Sequence, residues 1–285
     1  MEKLGKVTLN NNERRIKVKL ENKEWDIVIA DKTILFDAVC DLVFDSRSLY
    51  YYATSKSFSM TMEQIVQHIN NLDNKSLLSN DMKDIFRTIG WISDSSLDIN
   101  NTVFQADLSE LLMCILIDKL GISRTLISNA CFKTAAGSAV HGSDNLFYDY
   151  DNKILYLGES KFYEHLGNGL SDAEDSLNAH YKEKYDISFA RSHTSNFVAE
   201  SGDLRTKIVE EFETIPADEY KLSSITFVME EDKYLKKDIE DVLLRHRGFD
   251  SSNPPFANCF IVVFPILDKE DFLKRFIERL NDFNV

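Results

Sequence analysis

The stretch HGSDNLFYDYDNKILYLGESKFYEH, residues 141–165, decides how the chain is read. Two strand-like runs, Ser143 to Tyr150 and Lys153 to Tyr163, are joined by Asp151-Asn152. Asp and Asn tolerate the backbone conformations of tight turns, so the segment predicts a β-hairpin. With a loop of those two residues, Tyr150 faces Lys153 and Asp144 falls directly opposite Glu159. Like charges across a ladder repel, so the sheet gains nothing from that pairing. Strand alternation puts Glu159 and Lys161 on one face with Leu155 and Leu157. A strand that runs apolar and then turns acidic and basic on the same face is leaving a core and entering a polar site.

Two carboxylates and one ammonium converging there suit a divalent cation, and hard oxygen ligands select Mg2+ or Mn2+. Such an ion would relieve the carboxylate repulsion, lower the pKa of a bound water and bridge a phosphate oxygen. Lys161 would orient the attacking water or stabilise charge in the transition state. A plainer reading competes. A Glu-x-Lys on a strand is common on solvated faces, where the ion pair contributes little, and Asp144 after Gly142-Ser143 suits a simple turn. The hairpin register and the apolar helix before it favour the catalytic reading. Glu110, projecting from that helix, is a further candidate ligand, although Asp107 and Glu110 also have the spacing of a capping box.

Outward from the hairpin, Asp107 to Leu120 predicts a helix, with Asp107 as its cap and Gly121 where a C′ glycine belongs. Its apolar residues surround nearly the whole circumference, so the helix is buried. Residues 223–229 and 257–267 are apolar, β-branched runs that read as interior strands. Helices near 171–185, 203–213, 232–246 and 268–282 flank them. Toward the N-terminus, residues 5–31 alternate loosely and read as two or three strands with a turn at Asn10-Asn11-Asn12. Residues 32–46 and 61–92 read as helices. The polar stretch 93–101 is the expected boundary between an N-terminal α+β region, residues 1–100, and a second domain, residues 101–285. Strands with intervening helices make the fold class α/β, a mixed sheet flanked by helices.

The formal net charge is −14. A self-sufficient nucleic-acid binder usually carries a basic excess, because phosphate contacts supply most of its affinity. Either a partner delivers DNA to this chain or a local patch does. Lys3, Lys6, Arg14, Arg15, Lys17, Lys19 and Lys23 form one such patch, equally readable as a solvated hairpin. Four cysteines, at 40, 114, 131 and 259, lack the spacing of a zinc or redox motif. With no disulfide framework, no signal peptide and no apolar run long enough to span a membrane, the expected compartment is cytoplasmic.

Other motifs are set aside. Gly167-Asn168-Gly169 fails the GxGxxG pattern at Asp172, and Ser171 and the acidic residues after it read as an ordinary helix start. GxxxxGK[ST], GxSxG and SxxK are absent, which argues against a P-loop motor and a serine hydrolase. Asp149-x-Asp151 reads as a turn. His180, Lys182 and Lys184 read best as a solvated helix face, and Arg245, His246 and Arg247 as a basic helix end.

A helix bearing Glu110, a strand with Asp144, then a strand carrying Glu159-Ser160-Lys161 is similar to the PD-(D/E)xK nuclease core, restriction-endonuclease-like. More narrowly, residues 141–163 resemble the signature of the DUF1837 family, the nuclease-subunit (HamA) family of the Hachiman antiphage defence system. The resemblance covers about residues 105–267. It departs from the superfamily pattern in that His-Gly-Ser, not Pro, precedes Asp144. The resemblance implies a metal-dependent DNA nuclease using Asp144, Glu159, Lys161 and Glu110, restrained by a superfamily-2-type helicase subunit (HamB-like) that brings the DNA. By elimination, residues 1–100 are left to dock that partner. The rival expectation is a non-catalytic subunit that keeps the fold and regulates a helicase or DNA ends.

Overall fold

The computed structural model describes residues 7–10, 13–20, 23–30, 98–119, 122–128, 143–163, 165–183, 206–207, 210–211, 214, 221–231 and 258–281. Among them the strands are β1 (Val7–Asn10), β2 (Glu13–Leu20), β3 (Lys23–Ala30), β4 (Arg124–Ser128), β5 (Asn145–Asp149), β6 (Ile154–Phe162), β7 (Lys221–Glu231) and β8 (Asn258–Ile266). The long helices are α1 (Thr102–Lys119), α2 (Leu166–Glu183) and α3 (Lys269–Asn281). Residues 206, 207, 210, 211 and 214 are also helical. The helices expected at 32–46, 61–92 and 232–246, the basic cluster 245–247 and His141 lie outside the described residues.

The strands form one sheet in the order β1-β2-β3-β8-β7-β6-β5-β4. Its centre is parallel: β3 pairs with β8, β8 with β7, and β7 with β6. Antiparallel strands finish both edges. The parallel centre explains why β7 and β8 are buried along most of their length, since helix-covered parallel strands are buried on both faces. The mixed sheet with flanking helices is an α/β fold, as expected. The sheet also runs across the boundary expected at 93–101, because β3 pairs directly with β8.

The β5–β6 hairpin forms with its expected register, Leu146 opposite Leu157 and Asn145 opposite Gly158. Its turn is longer than the two residues expected. Residues 150–153 make it, and Lys153 takes φ 57°, the left-handed region. Lengthening the loop by one residue on each side leaves the pairing unchanged. Asp149 closes the turn by accepting hydrogen bonds from Asn152 N at 3.0 Å and Asn152 Nδ2 at 2.7 Å. Below it, Tyr148 donates to the buried Glu211, which also pairs with Lys153.

Helix α1 begins earlier than expected. Asn101, not Asp107, is its cap: Asn101 Oδ1 accepts from Val103 N at 3.0 Å and Phe104 N at 3.2 Å. The capping-box reading of Asp107 and Glu110 is therefore overturned, since both lie inside the helix. Ile122 N bonds to Ile117 O at 3.1 Å and closes the other end. As expected, α1 is buried almost all round, from Phe104 to Ile117. It joins α3 in one apolar layer, where Phe104 packs on Phe276 and Phe162 on Phe272.

Alternation along β6 separates its two faces. Ser160 meets Ser109 of α1, so residues 154, 156, 158, 160 and 162 face α1 and α3. The odd positions, including Glu159 and Lys161, face α2. Gly158 leaves room first for Phe147 of β5 and then for Met113 of α1, because a Cβ there would lie 2.7 Å from Phe147 Cε2 and 3.3 Å from Met113 Cε. Gly169 does the same for α2, where a Cβ would lie 2.9 Å from Val228 Cγ1. This corrects the helix start expected at Ser171: α2 already runs through residues 167–169, and close packing is the reason for one of the glycines.

Candidate functional site

The site lies where β6 reaches its C-terminal end and β5 begins. Ladder pairing stops at Asn145 and Gly158. Asp144, one residue beyond, turns its carboxylate onto β6. Asp144 Oδ2 accepts from Ser160 N at 2.7 Å and from Ser160 Oγ at 2.9 Å. It thereby satisfies a strand N–H that the shortened β5 leaves without a backbone partner.

Glu159 and Lys161 stand side by side on the α2 face. Lys161 Nζ donates to Glu159 Oε1 at 2.9 Å. The Glu159 residue is only 4% exposed, while the Lys161 side chain keeps 24% of its surface open. The lysine is thus the solvent-side member of the pair. Glu159 Oε2 is buried and makes no hydrogen bond. Burial, and then the charge of Asp144, push the Glu159 carboxyl up from 4.5 to about 8. Lys161 and the nearby Ser176 hydroxyl offset that only in part. For Lys161, burial alone would lower the pKa, but the Glu159 and Asp144 carboxylates outweigh it and hold the ammonium above its ordinary value.

The surroundings are polar on both flanks. Tyr163 donates to Asp172 of α2, which holds the phenol above its usual pKa. His180, half-buried on α2, places Nδ1 3.5 Å from Ser143 Oγ, next to Asp144. That departs from the solvated face expected for His180, while the side chains of Lys182 and Lys184 lie outside the described residues. On the other flank, Glu110 O accepts from Asn145 Nδ2 at 3.2 Å. Glu110 is therefore joined to Asn145, the residue after Asp144, through its backbone carbonyl.

The structure thus brings together Asp144, Glu159 and Lys161 and places Glu110 on the adjoining helix. Among the described residues no group of three or more His, Cys, Asp or Glu side chains is arranged to hold a metal ion. The donor set nonetheless fits a hard divalent cation. The Asp144 charge acts on the Glu159 carboxyl, and a buried oxygen of Glu159 is left without a hydrogen bond. Mg2+ keeps several waters and needs only one or two protein carboxylates beside substrate phosphates.

Sequence reading missed Ser160 and Ser109. The available signal was a small hydroxyl residue placed between Glu159 and Lys161, on a strand face otherwise apolar. Among the described residues no helix is long and apolar enough to cross a membrane. No curated protein matches the sequence. The model of the HamA family matches residues 7–280. With nearly the whole sequence covered, the chain belongs to the HamA family, a component family of the Hachiman antiphage defence system.

Proposed function

We propose that this chain is the metal-dependent DNA nuclease of a Hachiman-type defence system, with a PD-(D/E)xK-like core. One observation carries the reading. Glu159 is buried with Oε2 lacking any hydrogen bond, beside Asp144 and ion-paired to Lys161. Burying an acid this way is costly unless a positive partner completes it.

Asp144 and Glu159 would hold Mg2+ or Mn2+, with Glu110 of α1 a candidate further ligand. When bound, the ion supplies Lewis-acid stabilisation and an acidified water. Lys161 does the rest of the electrostatic work. Its exposed ammonium faces the solvent side of the pair, where a phosphate would arrive, and it orients the attacking water or stabilises developing charge. The surrounding helices and sheet keep the Glu159 carboxylate dry, which strengthens its interactions.

The charge of −14 supports delivery of DNA by a partner. A superfamily-2-type helicase subunit suits that part, with this chain hydrolysing what the helicase supplies. The test is DNA degradation with Mg2+ by the purified chain, alone and with the helicase subunit and ATP. Wild type is compared with a Glu159→Ala/Lys161→Ala double variant. Cleavage lost in the double variant supports the site, and dependence on the helicase supports gating. Equal cleavage by both proteins, or none by wild type under any condition, refutes the catalytic assignment.

A further inference from the structure

We infer that Ser160 is the positioning residue for Asp144, fixing one carboxylate oxygen of the proposed metal site and tying it to α1 through Ser109. The inference rests on the metal reading above. It concerns a residue whose side chain lies on the opposite face of β6 from Glu159 and Lys161.

The geometry is specific. Ser160 grips a single oxygen, Asp144 Oδ2, with two donors: its N–H at 2.7 Å and its hydroxyl at 2.9 Å. Two donors from one residue fix both the distance and the rotation of a short side chain. Asp144 lies past the last ladder pair, so backbone pairing does not hold it there. Bonds to an ionised acceptor are also the short, strong class.

The clamp is itself supported. Ser160 Oγ lies 3.1 Å from Ser109 Oγ, and both residues are buried. Since Ser160 spends its one hydroxyl proton on Asp144, Ser109 must act as donor in that contact. The Ser109 proton is contested, because Ala106 O lies 2.8 Å from the same hydroxyl. Ser109 therefore supports Ser160 part of the time, and its removal should matter less. Asn145 Nδ2 bonded to Glu110 O at 3.2 Å pins the same corner of β5 to α1 from the neighbouring residue.

A carboxylate so held presents one fixed geometry to a cation. Groups that orient metal ligands typically change metal affinity or activity by roughly 10–100-fold when removed. The test uses the full chain and Mn2+ itself, read by electron paramagnetic resonance of free and bound ion. The variants are Ser160→Ala and the near-isosteric pair Ser160→Thr and Ser160→Val, which differ by a hydroxyl against a methyl. Metal-free melting temperatures are recorded beside the affinities.

Mn2+ affinity should fall roughly 10–100-fold in Ser160→Ala and Ser160→Val and stay near wild type in Ser160→Thr. Ser109→Ala should fall between wild type and Ser160→Ala. Equal Mn2+ affinity in folded Thr and Val variants overturns the inference, as does a lowered melting temperature with unchanged affinity, which marks a purely structural role. Should Ser160→Ala not fold, the Thr and Val pair decides. Wild type that binds no Mn2+ refutes the metal reading itself and the inference with it, whereas wild-type binding unaffected by loss of the hydroxyl refutes the inference alone.

Discussion

Glu159→Gln should remove a pH-dependent loss of stability that the metal-free wild type shows. The Glu159 carboxyl is pushed up from 4.5 to about 8, first by burial and then by Asp144. A carboxyl whose folded pKa lies above its unfolded value favours folding while it is protonated. That contribution is complete below 4.5 and is lost as pH rises toward about 8. Inside that window each pH unit is worth about 1.4 kcal/mol. Between about pH 5 and about pH 7, wild type should therefore lose roughly 3 kcal/mol relative to the variant, which cannot ionise. In a chain of 285 residues that is a gap of roughly 5 °C in melting temperature. The assay is thermal unfolding by circular dichroism in chelator, at steps of pH, for both proteins. Groups other than Glu159 titrate in both and largely cancel in the difference. Mg2+ should flatten the wild-type slope, because a bound divalent charge keeps Glu159 ionised. Parallel curves for the two proteins would refute the reasoning, since they would mean that Glu159 titrates as an ordinary exposed acid.

Three further outcomes follow from the geometry. Gly158→Ala should destabilise the protein by about 1–3 kcal/mol in urea melts, because the new Cβ would sit 2.7 Å from Phe147 Cε2 and 3.0 Å from Asn145 O; unchanged stability would mean that β5 does not crowd Gly158 as described. Asn101→Ala should cost about 1 kcal/mol through loss of the α1 cap; unchanged stability would mean that Asn101 does not cap α1. Lys161→Ala should lower cleavage by roughly 100-fold or more while leaving Mn2+ binding measurable; retained cleavage would remove Lys161 from the chemistry.

The hairpin was the most legible part of the fold, and its register survived an error in the turn. Moving Tyr150 and Lys153 from strand to loop shortens both strands equally, so Asp144 still meets the end of β6 beside Glu159. The interior strands were legible as well, because burial on both faces writes mostly apolar runs into residues 223–229 and 257–267. Helix starts were less so. Asn101 and Asp107 are both good caps, and local sequence does not say which one the chain uses. The helix start read at Ser171 lies inside α2, which begins at Leu166 and carries Gly169 packed against Val228 although glycine disfavours helix. The edge strand β4 was missed altogether, five residues with a register shift and little periodicity. The parallel pairing of β3 with β8 joins residues more than two hundred positions apart, and no local pattern encodes it.

At the site, Asp144, Glu159 and Lys161 were legible because strand alternation and hairpin register are local rules. The contribution of Ser160 was hidden, since it depends on where α1 docks and on β5 ending one residue short of Asp144. Placement of Glu110 depends in the same way on tertiary docking, and the capping-box spacing pointed to a second, incorrect local explanation.

The most direct test of the account is the position of Mn2+ in crystals of the full chain, located by its anomalous scattering. The account predicts an ion about 2.0–2.3 Å from carboxylate oxygens of both Asp144 and Glu159, with Lys161 displaced from Glu159 toward the ion's waters. Crystals that hold no ion there at high Mn2+, with the Lys161–Glu159 pair intact, would contradict it.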